Sequence, residues 1–219
     1  MEEDAVKTKE IAVLIGDLVR SRKAKDRAEV QRKLRKIVDE INGSAKSIIA
    51  PLAVARGDEF EGAFKDAAAC YAAFERIERA LYPVKVQAGI GIGGINTDFS
   101  KNVTEMDGSA FHHAREALER VRGSGSGTLV AKDGKSEEDV NVMLSMFWAL
   151  KNGWTDRQRE LAEFYLDSGM PMQIEVAKHF GVSQPAVAKV LSAANVASLT
   201  VANKIILRKL SELIDEGGA

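Results

Sequence analysis

Residues 11–19, IAVLIGDLV, narrow the fold more than any other segment. The run is apolar and rich in branched side chains, so it reads as a strand buried on both faces, with Asp17 near its carboxyl end. Helical and strand-like segments then alternate. Residues 24–42 carry Val30, Leu34, Ile37, Val38 and Ile41 on one stripe with charged residues opposite, and Asn42-Gly43 is expected to stop that helix. IIAPLAVAR and EFEGAF flank the turn at Gly57-Asp58 as a predicted hairpin. An Ala-rich helix follows over 67–81, closed by Tyr82-Pro83. VKVQAGIGIGGI reads as a strand whose glycines let it bend or let something approach closely. A helix over 109–121 and a short strand over 128–131 complete the order.

That order, β-α-β-β-α-β with a further helix and strand, predicts an α+β fold, a ferredoxin-like palm of antiparallel strands and helices. Past residue 135 every segment reads as helix. The expected layout is a palm over 1–134, a connector helix over 135–153 and an all-α helix-turn-helix domain over 154–219. In the connector, Ser136 precedes Glu137, Glu138 and Asp139 as a helix start, and Val140, Val142, Met143, Met146, Phe147 and Leu150 are its expected buried stripe.

Composition matters chiefly for what it removes. A net charge of −1 over 219 residues leaves any nucleic-acid surface local. Cys70, the only cysteine, sits in AAACYAAF and is expected to be a buried, inert thiol. The polar, acidic start MEEDAVKTKE does not read as a secretion signal, and no apolar run nears the roughly 20 residues that span a bilayer. A cytoplasmic protein is expected.

The acids offer chemistry. Asp17 ends the first strand, and Asp58 and Glu59 lie at the hairpin tip, so the three can converge if those strands are neighbours. Like charges at such range shift each other's pKa unless a cation lies between them. This makes Asp17, Asp58 and Glu59 candidate ligands for Mg²⁺ or Mn²⁺, with substrate phosphates completing the shell. The plainer reading, Gly-Asp as ordinary turn chemistry, stands beside it. Arg20 and Arg22 flank the first acid, and their guanidinium forks suit phosphate unless the stretch is only a solvated basic loop. Arg115 can neutralise a transferring phosphate, or pair with Asp107 or Glu119 instead. His112 and His113 are consecutive and point about 100° apart on a helix, so they do not clamp one metal.

GDLVRSR at 16–22, RGDEFEG at 56–62, AGIGIGG at 88–94 and DGSAFHHAREAL at 107–118 together resemble the SatD family of bacterial and archaeal proteins, over about the first 130 residues. A more distant similarity is to class III nucleotidyl cyclases and to diguanylate cyclases of the GGDEF type. It implies Asp17 and Asp58 as metal ligands on a triphosphate, with Glu59 a third. It also implies that the backbone N–H groups of Gly16, Leu18 and Val19 cradle phosphate oxygens. The chain departs from those cyclases in carrying Phe111 four residues before Arg115, where they carry Asn, and one glycine before Asp58 where the diguanylate cyclases have two.

Residues 155–195 resemble a bacterial-regulator helix-turn-helix. Ile174, Val176, Ala177 and Phe180 bury its first helix, Gly181 permits the turn, Ser183 caps the second helix, and Val187, Val190 and Leu191 bury that one. Docked in a major groove, Ser183 and Gln184 would meet bases and Lys189 phosphate or guanine. Between 173 and 210 five Lys/Arg stand against Glu175 alone, which concentrates basic charge there but implies few phosphate contacts. The apolar face over 197–214 packs on its own domain or forms a homodimer, which would pair two weak readers. The expected function is DNA-binding regulation with a nucleotide- or metal-binding palm. The alternative is a cyclase-like, metal-dependent nucleotidyl or phosphoryl transferase whose helical tail serves oligomerisation.

Overall fold

A computed structural model describes residues 10–19, 26–55, 58–132 and 137–214. Its elements are β1 (Ile11–Leu18), α1 (Arg27–Ser44), β2 (Ile48–Ala55), β3 (Glu59–Phe64), α2 (Ala67–Leu81), β4 (Val86–Gly93), α3 (Ser109–Val121), β5 (Gly127–Ala131), α4 (Glu138–Asn152), α5 (Asp156–Asp167), α6 (Gln173–Phe180), α7 (Gln184–Ala193) and α8 (Val196–Ser211), with a 3₁₀ turn over Val103–Glu105. The five strands form one sheet in the order β2-β3-β1-β4-β5. β1 lies at its centre, antiparallel to β3 and to β4, while β5 adds to the far edge parallel to β4.

The central strand is covered on both sides, as its composition requires. Ile11, Val13 and Ile15 share one face and pack with Ala110, Phe111, Ala114 and Leu118 of α3. Ala12 and Leu14 point the opposite way, and their face is completed by buried residues of α1 and α2 such as Leu34, Ile41, Tyr71 and Phe74. The β4 glycines explain how α3 comes so close. A Cβ on Gly89 would stand 2.0 Å from the carbonyl oxygen of Ala114, and one on Gly91 2.0 Å from that of Ala110. Close helix approach, not bending, is their use.

Two expectations are corrected. Asn42-Gly43 does not end α1, which runs on to Ser44. The Asn42 side chain instead clamps the middle of β2, where its pairing with β3 is irregular, donating to Leu52 O and accepting from Leu52 N, both at 2.9 Å. A tertiary partner thus overrides a local stop signal. In α4 the buried apolar residues are Val140, Leu144, Phe147 and Trp148, whereas Val142, Met146 and Leu150 are exposed. The face is set by Asn141, whose amide accepts from Val130 N at 2.7 Å and donates to Val130 O at 2.8 Å. That pairing satisfies backbone groups on the edge strand β5 and fixes the rotation of the helix. Ser136, the expected start of this helix, lies outside the described residues.

By its contacts the chain divides into two compact units, 1–145 with 207–219, and 146–206. The second unit has a core of Leu161, Ala162, Val176, Ala177, Val187, Leu191, Ala194 and Val196. Along α8, Leu199, Ile206 and Leu210 are buried, and Val201 is exposed. Among the described residues no single helix is long and apolar enough to cross a membrane.

Candidate functional site

The strand register gathers the acids. Asp17 lies directly opposite Glu59 on β3 and opposite Gln87 on β4. Directly opposed residues have Cβ atoms about 5 Å apart. Glu61 is one pleat further along β3 on the same face, opposite Ile15. Asp58 immediately precedes the strand and acts on Asp17 through its charge. Burial pushes the Asp17 carboxyl above its ordinary value; Arg122 opposes that shift, and Asp58 and Glu119 add to it. Arg122 reaches Asp17 at 3.5 Å and also pairs with Glu119. Glu61 is 7 % exposed. Burial raises its pKa too, with Arg115 opposing and Glu59 reinforcing. Five carboxylates therefore surround two guanidinium groups, and the surplus charge is negative.

Asp17, Asp58 and Glu59 are thus neighbours. Among the described residues, however, no set of three or more His, Cys, Asp or Glu side chains is arranged to hold a metal ion by itself. The donor set suits a hard cation that takes one or two carboxylates and completes its shell from a ligand or water. The expected amide cradle is not free in full. Val19 N–H donates to Lys85 O at 2.9 Å, and Gly16 is held between Phe60 and Ala88 inside the sheet. Leu18 pairs with Val86 at the end of the ladder. Arg20 and Arg22 lie outside the described residues. Arg115 is exposed and pairs with neither rival: Asp107 stands 3.7 Å from His112, and Glu119 takes Arg122. His113 bonds the carbonyl of Ile92 at 2.7 Å through Nδ1, so the two histidines are divided as their spacing required. Cys70 is fully buried, which pushes its thiol well above the ordinary range.

Three participants went unrecognised in the sequence. Glu61 was legible from period-2 alternation, since it must share the face of Glu59. Gln87 was legible only through the sheet register; its amide donates to Val121 O at 3.1 Å and to Gly125 O at 2.7 Å, tying β4 to the end of α3. Arg122, just beyond α3, reaches a residue 105 positions away, and no local signal announces that.

In the second unit α6 ends on Gly181, held at φ 62° and ψ 33°, and Val182 N–H returns to Ala177 O at 3.0 Å. Ser183 caps α7 by accepting from Ala186 N–H at 3.4 Å. Gln184, Pro185 and Lys189 are exposed, Ala188 is half-buried, and Gln184 touches Gln173 at 3.4 Å. Ile174, expected inside, is 46 % exposed, because Val176 and Ala177 already fill the inner side of this short helix. A groove of about 500 Å³ runs beside α7, lined by Tyr165, Gln173, Ala188, Ser192, Asn195 and their neighbours. No charged side chain lines it; its polar groups are the hydroxyls and amides of Tyr165, Gln173, Ser192, Asn195, Ser198 and Thr200.

Comparison with known proteins bears on the whole of this arrangement. The family model described as the SatD family matches residues 11–209, beyond the 130 residues that carry the motifs and through most of the helical region. No curated protein matches the chain. Among solved structures, one match is a regulator of polyketide synthase expression from Bifidobacterium adolescentis, 12 % identical over 91 % of this chain and 85 % of that one. Its TM-score of 0.24 is too low for either fold or function to be argued from it.

Proposed function

The chain belongs to the SatD family, and from that premise we propose that it is a DNA-binding regulator whose sheet unit, read as a ferredoxin-like palm, takes a nucleotide with a divalent cation. The observation that carries the proposal is the exposed face of α7. A sharp αL turn and a serine cap set that helix on a small apolar core, while Gln184, Pro185 and Lys189 stay in solvent. A helix presented in this way suits a major groove, where Gln can pair adenine bidentately and Lys can meet phosphate or guanine. Few basic residues accompany it, so a homodimer that pairs two such helices is part of the reading. The test is retention of genomic DNA fragments by the full chain. Sequence-selective retention, lost in the Gln184→Ala/Lys189→Ala double variant, supports it; binding that is absent at every salt concentration overturns it.

For the palm, Asp17 with Asp58 or Glu59 would hold Mg²⁺ or Mn²⁺, which supplies positive charge against nucleotide phosphates. The chain's own contribution is a negative cluster that binds such a cation and holds Arg122 beside it. The same cluster supports a second reading, metal-dependent nucleotidyl or phosphoryl transfer. Product formed from a nucleoside triphosphate, and lost in Asp17→Asn, would select that reading over binding alone.

A further inference from the structure

The groove beside α7 lies wholly within the second unit, and none of Gln184, Pro185 and Lys189 lines it. Its volume of about 500 Å³ falls inside the roughly 300–1,000 Å³ of small-molecule sites. Leu191 and Val196, both buried, give it an apolar floor. Among the described residues the side chains of Tyr165, Ser192, Asn195 and Ser198, which line it, make no hydrogen bond. Thr200, by contrast, is spent on Val196 O at 2.8 Å. Several convergent polar groups left over an apolar floor are what a small-molecule site requires.

The backbone supplies a second, independent observation. Among the described residues only two besides glycines have positive φ, Met170 at 58° and Asn195 at 53°, and both line the groove. Asn tolerates that conformation through its short polar side chain, whereas Met has no such compensation. Met170 is also 47 % exposed, so its thioether chain serves no core. Residues held in sparsely populated backbone regions gather at ligand sites.

The lining sets the chemistry of the occupant. With no charged side chain there, an ion would lose hydration and gain no partner. Gln173 and Asn195 each carry a donor and an acceptor side by side, the complement of an amide edge, and the serine hydroxyls can play either part. Tyr165 and Met170 add an aromatic ring and a polarizable sulfur, which suit a flat ring. Gln173 also reaches the reader: it accepts from Gln184 Nε2 at 3.4 Å.

We infer that this groove binds an uncharged, ring-sized molecule with an amide or hydroxyl edge, and that its occupant governs Gln184 through Gln173. A ligand that claims the Gln173 amide removes the hydrogen bond that orients Gln184. The link to Gln184 rests on the DNA reading of α7 proposed above; the site itself does not.

The experiment is an NMR titration of the full chain carrying ¹³C-methyl methionine. Benzamide and nicotinamide are the probes, and benzoate and nicotinate their charged isosteres. The Met170 methyl should shift saturably with both amides, and the carboxylates should bind at least roughly tenfold more weakly. Ser198→Phe, at an exposed position, fills the groove and should abolish the shift. Asn195→Gly keeps the left-handed backbone and removes one amide, so it should weaken the amides roughly two- to tenfold; it serves if the Phe variant does not fold. No saturable shift with either amide overturns the site, as do equal binding of the carboxylates and a shift that survives unweakened in both variants. The second arm is retention of genomic DNA with and without saturating nicotinamide. Affinity should change by roughly fivefold or more in the wild type and stay constant in Gln173→Ala. Unchanged DNA affinity while nicotinamide is bound overturns the link to Gln184. Failure to retain DNA under any condition removes the DNA reading and that link, and the methyl shift then decides the site alone.

Discussion

Two carboxylates define the residue scale. Asp17 and Glu61 each have a folded pKa above the ordinary carboxyl value, chiefly because burial disfavours the charged form. The folded state thus keeps protons that the unfolded chain has already released. Stability therefore falls as pH rises from about 4 towards the raised values, and the loss is complete above them. Glu61→Gln should raise the melting temperature at pH 7 and leave it unchanged at pH 3, where both states are protonated. Asp17→Asn should do the same more weakly, since Arg122 already opposes part of its shift. Melting curves of each variant across pH 3–8 check this, and a Glu61→Gln variant no more stable than wild type at pH 7 would contradict it. The sign is informative for function: residues that destabilise their own fold at neutral pH are retained more readily for binding than for structure.

Packing decides the outcome at the scale of the element. In β4 the glycines are spaced at every second position, and the backbone of α3 occupies the room their missing Cβ atoms leave. Gly91→Ala would place a methyl 2.0 Å from the Ala110 carbonyl oxygen, so helix or strand must move. The expected cost is about 3 kcal/mol, or roughly 6–12 °C in melting temperature for a chain of this size. A loss under about 1 °C would mean that α3 sits further from the sheet. On α7, Ser183→Ala should cost about 1 kcal/mol of helix stability through its lost cap. Ser183→Asp keeps the cap but repels phosphate; it should stay folded and lose DNA, which separates capping from contact. The same scale shows what was legible in the chain. Both ends of α2 carry their own signals, Asp66 as cap and Tyr82-Pro83 as stop, and its bounds fall where the sequence put them. The end of α1 and the buried face of α4 did not, because Asn42 and Asn141 spend their amides on the backbone of an adjoining strand, a pairing that no helix pattern announces. The acid cluster was legible as Asp17, Asp58 and Glu59, but that Glu61 sits opposite Ile15 on the same face emerges only once the register of β3 with β1 is in place.

For the whole molecule, the two units have separate apolar cores, so their activities should be separable by mutation. Leu191→Ala, cutting the core under α7, should cost about 2–5 kcal/mol locally and abolish DNA binding while nucleotide affinity stays. A regulator requires more than two working parts; it requires that they be coupled. Coupling is reciprocal: if the nucleotide changes DNA affinity by some factor, DNA must change nucleotide affinity by the same factor, typically 5- to 150-fold. The decisive comparison is therefore DNA affinity of the wild type with and without saturating nucleotide and Mn²⁺, beside nucleotide affinity with and without DNA. Salt must be held fixed throughout, because the DNA term depends on counterion release. Equal, non-unit factors, abolished in Asp17→Asn, would make the palm the sensor of the α7 reader. Two working sites with factors of one would leave a DNA-binding protein joined to a nucleotide-binding domain that does not govern it, and the transferase reading would then be the better account of the acids on the sheet.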